Sequence, residues 1–129
     1  MKVFLSILTA TILFLFASCK KEQSSAPVRT ITYLLYTTGD FSTVNNIISF
    51  RLYIRNATQT LFDSALAPMK IKDIPGAANK LMFQKIVPGN DASDLAVGFR
   101  YSISDVGSSQ FTDTCSAGEL YKVVDYDFK

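Results

Sequence analysis

The chain is 129 residues long and carries 13 Lys and Arg against 11 Asp and Glu, two cysteines and no histidine. That length suits one domain with a real core and does not suit two. The near-balanced charge lacks the basic excess of a nucleic-acid binder, and the missing histidine removes Ser-His-Asp and Cys-His nucleophilic sites and the common zinc ligand sets.

The chain opens on Met1-Lys2 and then runs uncharged from Val3 to Ala17. A positive start followed by an apolar run predicts a secretion signal. The run is shorter than the about 20 apolar residues that a membrane-spanning helix takes. It ends in Leu15-Phe16-Ala17-Ser18-Cys19, small residues just ahead of a cysteine. This resembles a bacterial lipobox, with Phe16 where leucine is usual, and it implies lipidation of Cys19 after cleavage. The expected organisation is a signal peptide over 1–18, a lipidated tether over 19–27 and one β-sandwich domain over 28–129. At ~3.5 Å per residue, the polar stretch Lys20 to Pro27 holds a domain roughly 25–30 Å from its anchor. With Cys19 lipidated, Cys115 is the one remaining thiol, so no intramolecular disulfide is expected.

Alternation of apolar and polar residues, the signature of a strand with one buried face, then dominates the chain. A first strand is expected over Val28 to Thr37, with Ile31, Tyr33 and Leu35 inward. Gly39-Asp40 begins a turn region reaching Asn45-Asn46. The second strand places Ile48, Phe50, Leu52 and Ile54 opposite Ser49, Arg51, Tyr53 and Arg55. Asn56-Ala57 fits a tight turn into a third strand over Thr58 to Ser64. Pro68 and Pro75 bracket an edge strand, Met69 to Ile74. Gly76 to Asn79 reads as a loop with room for one helical turn, and Lys80 to Val87 as a strand.

Pro88-Gly89-Asn90-Asp91 is a turn signal. The longest alternation follows in Asp94 to Ser104, with Leu95, Val97, Phe99, Tyr101 and Ile103 on one face. A polar connection is expected over Val106 to Gly118. A last strand, Glu119 to Phe128, places Leu120, Lys122, Val124, Tyr126 and Phe128 on one face. Seven short strands in about 100 residues predict an all-β fold, a seven-stranded antiparallel immunoglobulin-like β-sandwich. A small closed barrel is the alternative.

Candidate chemistry is sparse. Asp125 and Asp127 lie two apart on a strand, a spacing of ~6.5–7 Å that glycosidase carboxylates can use; the solvated face opposite Val124 and Tyr126 is the better account of them, because so small a domain has little room for a substrate cleft. Asn90, Asp91 and Asp94 offer hard oxygen ligands of the kind calcium takes, without the spacing of a calcium loop. No Gly-rich phosphate loop is present, and no cofactor is expected. Asn56-Ala57-Thr58 fits the N-glycosylation acceptor pattern. Asp63-Ser64-Ala65 resembles a short O-glycosylation motif. Tyr36, Tyr53, Phe111 and Tyr121 are the aromatics that alternation leaves free for a sugar. The recognition surface is expected on the long connection, with Ser108, Ser109, Gln110, Phe111 and Asp113 as its candidate residues, because loops on a rigid scaffold often carry function. Sandwich order puts that connection at one end with the Asn56-Ala57 turn and the Gly76–Asn79 loop. The competing role for Phe111 is to fold back with Cys115 over the open end of the core.

The lipobox-like end with Cys19-Lys20-Lys21-Glu22 resembles small envelope lipoproteins of Bacteroidota-type bacteria. The stretch from Ser64 to Pro75, continued by Val87-Pro88-Gly89-Asn90-Asp91, looks like an uncharacterised group of them. The resemblance implies one β-sandwich on a short tether; Lys20 directly after the cysteine predicts anchoring in the outer membrane, facing either the periplasm or the outside. The expected function is a non-catalytic binding or structural module of the cell envelope. Its partners would be the membrane through Cys19 and an envelope protein or glycan; the alternative is a carbohydrate-binding or glycan-processing accessory lipoprotein.

Overall fold

The computed structural model describes residues 27–88 and 92–129. The leader, Cys19, most of the tether, Asn90 and Asp91 lie outside the described residues. Eight strands form: β1 Val28–Tyr36, β2 Ile47–Arg55, β3 Thr60–Ala65, β4 Met69–Lys70, β5 Leu81–Pro88, β6 Leu95–Ile103, β7 Gly107–Cys115 and β8 Tyr121–Asp127. They build two sheets packed as an all-β sandwich. The smaller has the order β5-β1-β8; the larger has the order β3-β2-β6-β7, with β4 also paired to β2. Pairing is antiparallel except between β1 and β8, which run parallel.

Alternation sets the core as expected. Ile31, Tyr33 and Leu35 of β1 and Val124 of β8 face Ile48, Phe50, Leu52 and Ile54 of β2 and Leu95, Val97 and Phe99 of β6, all buried. A cluster of aromatic rings fills one part of the core. Phe99 stacks on Phe111 at 5.7 Å and meets Tyr126 edge-on at 4.9 Å, while Phe128 meets Tyr101 at 5.0 Å. Such pairs add about 0.5–1.5 kcal/mol each beyond the area they bury. Tyr33 also crosses the core, donating its hydroxyl to the Tyr53 carbonyl at 2.7 Å. Burial pushes the Tyr33 phenol well above its usual range, so it stays a neutral donor.

Three expectations need correction. First, the polar connection of 106–118 is not a loop. Most of it is β7, paired to β6 over nine residues from Leu95↔Cys115 to Ile103↔Gly107. The turn that allows this is Ser104 to Gly107, where Asp105 sits at φ 62° and Gly107 at φ 141°. Asp tolerates the first conformation and glycine the second. The sandwich therefore has eight strands, not seven.

Second, the Met69–Ile74 edge strand shrinks to the two residues of β4, and a 3-10 turn takes over at Ile71–Asp73. Ile71 and Ile74 are buried by that turn. Third, the expected clustering of loops at one end does not occur. The Asn56 turn lies at the end of the sandwich where β1 starts. The Gly76–Asn79 segment lies at the other end, where Thr37 bridges to Gly76.

Candidate functional site

The outer face of the larger sheet is laid out in rows by its register. One row reads Ala65, Arg51, Arg100 and Gln110 across β3, β2, β6 and β7. The next reads Ser49, Ser102 and Ser108. Arg51 and Arg100 are thus directly opposite cross-strand neighbours, and like charges so placed repel. Asp63 pairs with Arg51 from β3. Among the described residues Arg100 has no carboxylate partner. Two adjoining open depressions of about 300 and 360 Å³ meet at Arg100 and Ser108. Two guanidinium groups, a row of hydroxyls and the Gln110 amide converge there, so the surface is rich in hydrogen-bonding groups and carries excess positive charge.

A third row explains why this face is rigid. Tyr53, Gly98 and Thr112 are in register across β2, β6 and β7. The Tyr53 hydroxyl meets Thr112 Oγ1 and donates to the Phe111 carbonyl, both on the strand beyond Gly98. Its ring must therefore lie across β6 at the one position with no side chain. Although it is on the outer face, Tyr53 is only 4% exposed. A Cβ at Gly98 would come within 2.1 Å of the Phe111 carbonyl oxygen. The guanidinium groups of Arg55 and Arg100 stand 5.1 and 5.6 Å from the Tyr53 ring centre. A sugar therefore finds no free aromatic platform at Tyr53.

The five residues expected on the long connection are split by the strand. Ser108 and Gln110 point to the outer face and join the Arg100 surface. Ser109, Phe111 and Asp113 alternate to the other side. Phe111 is committed to the aromatic cluster through Phe99 and Tyr126; of its two readings, the packed one describes its position. Asp113 bridges the two sheets by pairing with Lys122 of β8 at 2.9 Å. The remaining free aromatics also separate. Tyr36 lies under the Lys80 ammonium, 4.0 Å from it, whereas Tyr121 is 76% exposed.

The other chemical candidates are committed to local partners. Asp125 binds Lys80 at 2.9 Å. Asp127 accepts from the Thr38 backbone N–H at 2.8 Å and from the Thr38 hydroxyl at 2.7 Å. Those bonds hold the Asp127 carboxyl below the usual aspartate range, the opposite of what a general acid requires. Asp94 accepts the Ala117 N–H at 2.8 Å. No group of three or more His, Cys, Asp or Glu suited to a metal occurs among the described residues. Asn56 turns its own chain, accepting from the Thr58 and Gln59 N–H groups. Ser64 is half-buried on β3.

Cys115 is buried at the end of β7 beside Arg29, a residue absent from the sequence-based candidates. Arg29 is only 2% exposed. Its Nε donates to the Glu119 carbonyl at 3.1 Å and Nη1 to the Ser93 carbonyl at 2.6 Å. Nη2 donates to the carbonyls of Cys115 and Ser116 at 2.9 and 2.6 Å, and lies 3.2 Å from the Cys115 sulfur. Burial pushes the thiol up, and the neighbouring guanidinium offsets only part of that. A thiol held protonated is a poor nucleophile. Among the described residues no helix is long and apolar enough to cross a membrane. No family model matches this chain, and neither does any curated protein or solved structure.

Proposed function

We propose that this chain is a non-catalytic, lipid-anchored module of the cell envelope that binds an anionic group on the outer face of its larger sheet. The observation that carries the reading is the cross-strand opposition of Arg51 and Arg100, of which only Arg51 is paired, with Asp63 on its far side, among the described residues. Two facing cations cost stability unless something negative joins them. A carboxylate or phosphate seated over Arg100, within reach of Ser108 and Gln110, supplies that charge and can accept paired guanidinium hydrogen bonds. The carbohydrate-binding alternative takes the form of an acidic glycan, because the covered Tyr53 ring disfavours stacking of a neutral sugar. A hydrolase is disfavoured by the absence of histidine and by the local commitments of Asp125 and Asp127.

The test is an array of neutral, uronate-bearing and phosphate-bearing glycans probed with the purified protein and with Arg100→Ala. Retention of the acidic members, reduced at least about tenfold in the variant, is the expected result. Retention of neutral glycans alone, or binding indifferent to Arg100, defeats the proposal. Glycan turnover abolished by Asp125→Asn establishes the enzyme instead.

A further inference from the structure

The outer face of the smaller sheet has the opposite character. Of the eight large apolar side chains exposed among the described residues, five, Val28, Met82, Ile86, Tyr121 and Val123, lie on this one face, whereas Val106, Ile47 and Leu120 lie apart from it. Met82 is 68% and Ile86 55% exposed. Isolated exposed apolar residues need no explanation, but five on one sheet face mark a covered surface.

The face is also graded along its length. Starting where the chain enters from the tether, the register gives Pro88 beside Val28, then Ile86, Thr30 and Tyr121, then Gln84, Thr32 and Val123. Beyond these come Met82, Leu34 and Asp125, and finally Tyr36 beside Asp127. The far half adds Lys80, paired with Asp125. Among the described residues of this face, no charged residue stands in the rows from Val28 to Val123, and the charged ones, Lys80, Asp125 and Asp127, are in the half remote from the tether.

We propose that the tether-proximal part of this face, formed by Val28, Ile86, Tyr121 and Val123, rests on the surface of the lipid bilayer that anchors the chain. The inference takes the anchoring at Cys19 as its premise. Eight residues separate Cys19 from Val28, at most ~28 Å of chain, and Val28 is itself part of the patch. The anchor thus keeps the patch within reach of the headgroups. Tyr121 brings an apolar ring with a polar tip, the chemistry favoured at a membrane interface. A second copy suits the patch poorly. Three strands spaced ~4.8 Å apart and a few residue rows give a face on the order of a few hundred Å², whereas a stable dimer buries about 800 Å² per partner. Docking here leaves the Arg51–Arg100 face, on the opposite side of the sandwich, open to ligand.

The experiment uses the full lipidated protein reconstituted into phosphatidylcholine vesicles. Single reporters Ile86→Cys and Val123→Cys on the patch, and Gln110→Cys on the opposite sheet, carry an environment-sensitive fluorophore. Lipids with brominated acyl chains act as quencher. Quenching at 86 and 123 at least about threefold stronger than at 110 is expected, and it should fall to the level of 110 when Tyr121→Asp is added. Protein that stays on the vesicles without differential quenching overturns the docked face while leaving the anchor intact. Crosslinking between the 86 positions of two copies, with no quenching, assigns the patch to a dimer and likewise overturns it. Protein that never associates with the vesicles overturns the anchor and the docked face together.

Discussion

Arg29 and Arg100 place the same side chain in two opposite settings. At the tether end of the sandwich, Arg29 directs every donor nitrogen to acceptors in its own chain, four of them carbonyls supplied by the turn before β6, the last residue of β7 and the turn after it. On the outer face of the larger sheet, Arg100 faces Arg51, has no carboxylate partner among the described residues and borders open depressions. A buried guanidinium with each of its nitrogens bonded acts as a fastening. An exposed one with donors unspent beside a like charge acts as a receptor. The two should respond to substitution in different ways.

The largest effect is expected at Arg29. Replacing it with Ala strands four inward carbonyls and opens the end of the core. Unsatisfied buried groups cost about 1–3 kcal/mol each, less where water enters, so a loss of about 3 kcal/mol or more is expected in urea unfolding followed by circular dichroism. Arg29→Lys should rescue little, since one ammonium cannot replace a planar fork. The Cys115 thiol supplies a second readout. It should resist iodoacetamide in the folded parent and react in Arg29→Ala. A variant with parental stability and a silent thiol would show that Arg29 is not the fastening described.

Gly98→Ala comes next, because it attacks the support beneath the receptor face. The added methyl meets the Phe111 carbonyl, so β6, β7 or the Tyr53 ring must shift. Overpacking of this kind typically costs about 1–3 kcal/mol. A thermal melt should fall accordingly, and binding at Arg100 should weaken with it. Arg100→Ala sharpens the contrast with Arg29. Its stability should stay within about 0.5 kcal/mol of the parent, as for ordinary surface substitutions, while acidic-ligand binding is lost. A destabilised Arg100→Ala would erase the distinction between the two arginines.

The smallest effect concerns the pair that clasps the two sheets at the β7 and β8 edges. The Lys122 ammonium holds the Asp113 carboxyl below its ordinary 3.8, and Asp113 in turn raises Lys122 above 10.5. A lowered carboxyl stabilises the fold fully above the unfolded-state value and loses that contribution as pH falls through the lower folded value. The raised lysine contributes fully below 10.5 and loses its share as pH rises through the higher folded value. The pair is partly exposed, with side-chain exposures of 41% for Asp113 and 19% for Lys122, so screening keeps its contribution to about 0.5 kcal/mol. Parent and Asp113→Asn should differ by that amount at pH 7 and converge once the pH has fallen through the lowered Asp113 value, below 3.8.

Local alternation by itself determined the all-β class and most of the core, because a period of two needs no partner to be read: Ile31, Tyr33, Leu35, Ile48, Phe50, Leu52, Val97 and Phe99 are where it places them. It also marked Arg51 and Arg100 as lying off the core. It could not show that they face each other, since opposition depends on the β2–β6 register, a property of two strands 49 residues apart. The β7 strand escaped for a related reason. Ser108 to Thr114 carries one large apolar residue, Phe111, and becomes a strand through its ladder to β6 and the left-handed turn at Asp105. Arg29 likewise reads as an ordinary charged residue at the start of a strand. Only the folded chain brings Ser93, Cys115, Ser116 and Glu119 around it, and a buried charge is tolerated where such acceptors converge.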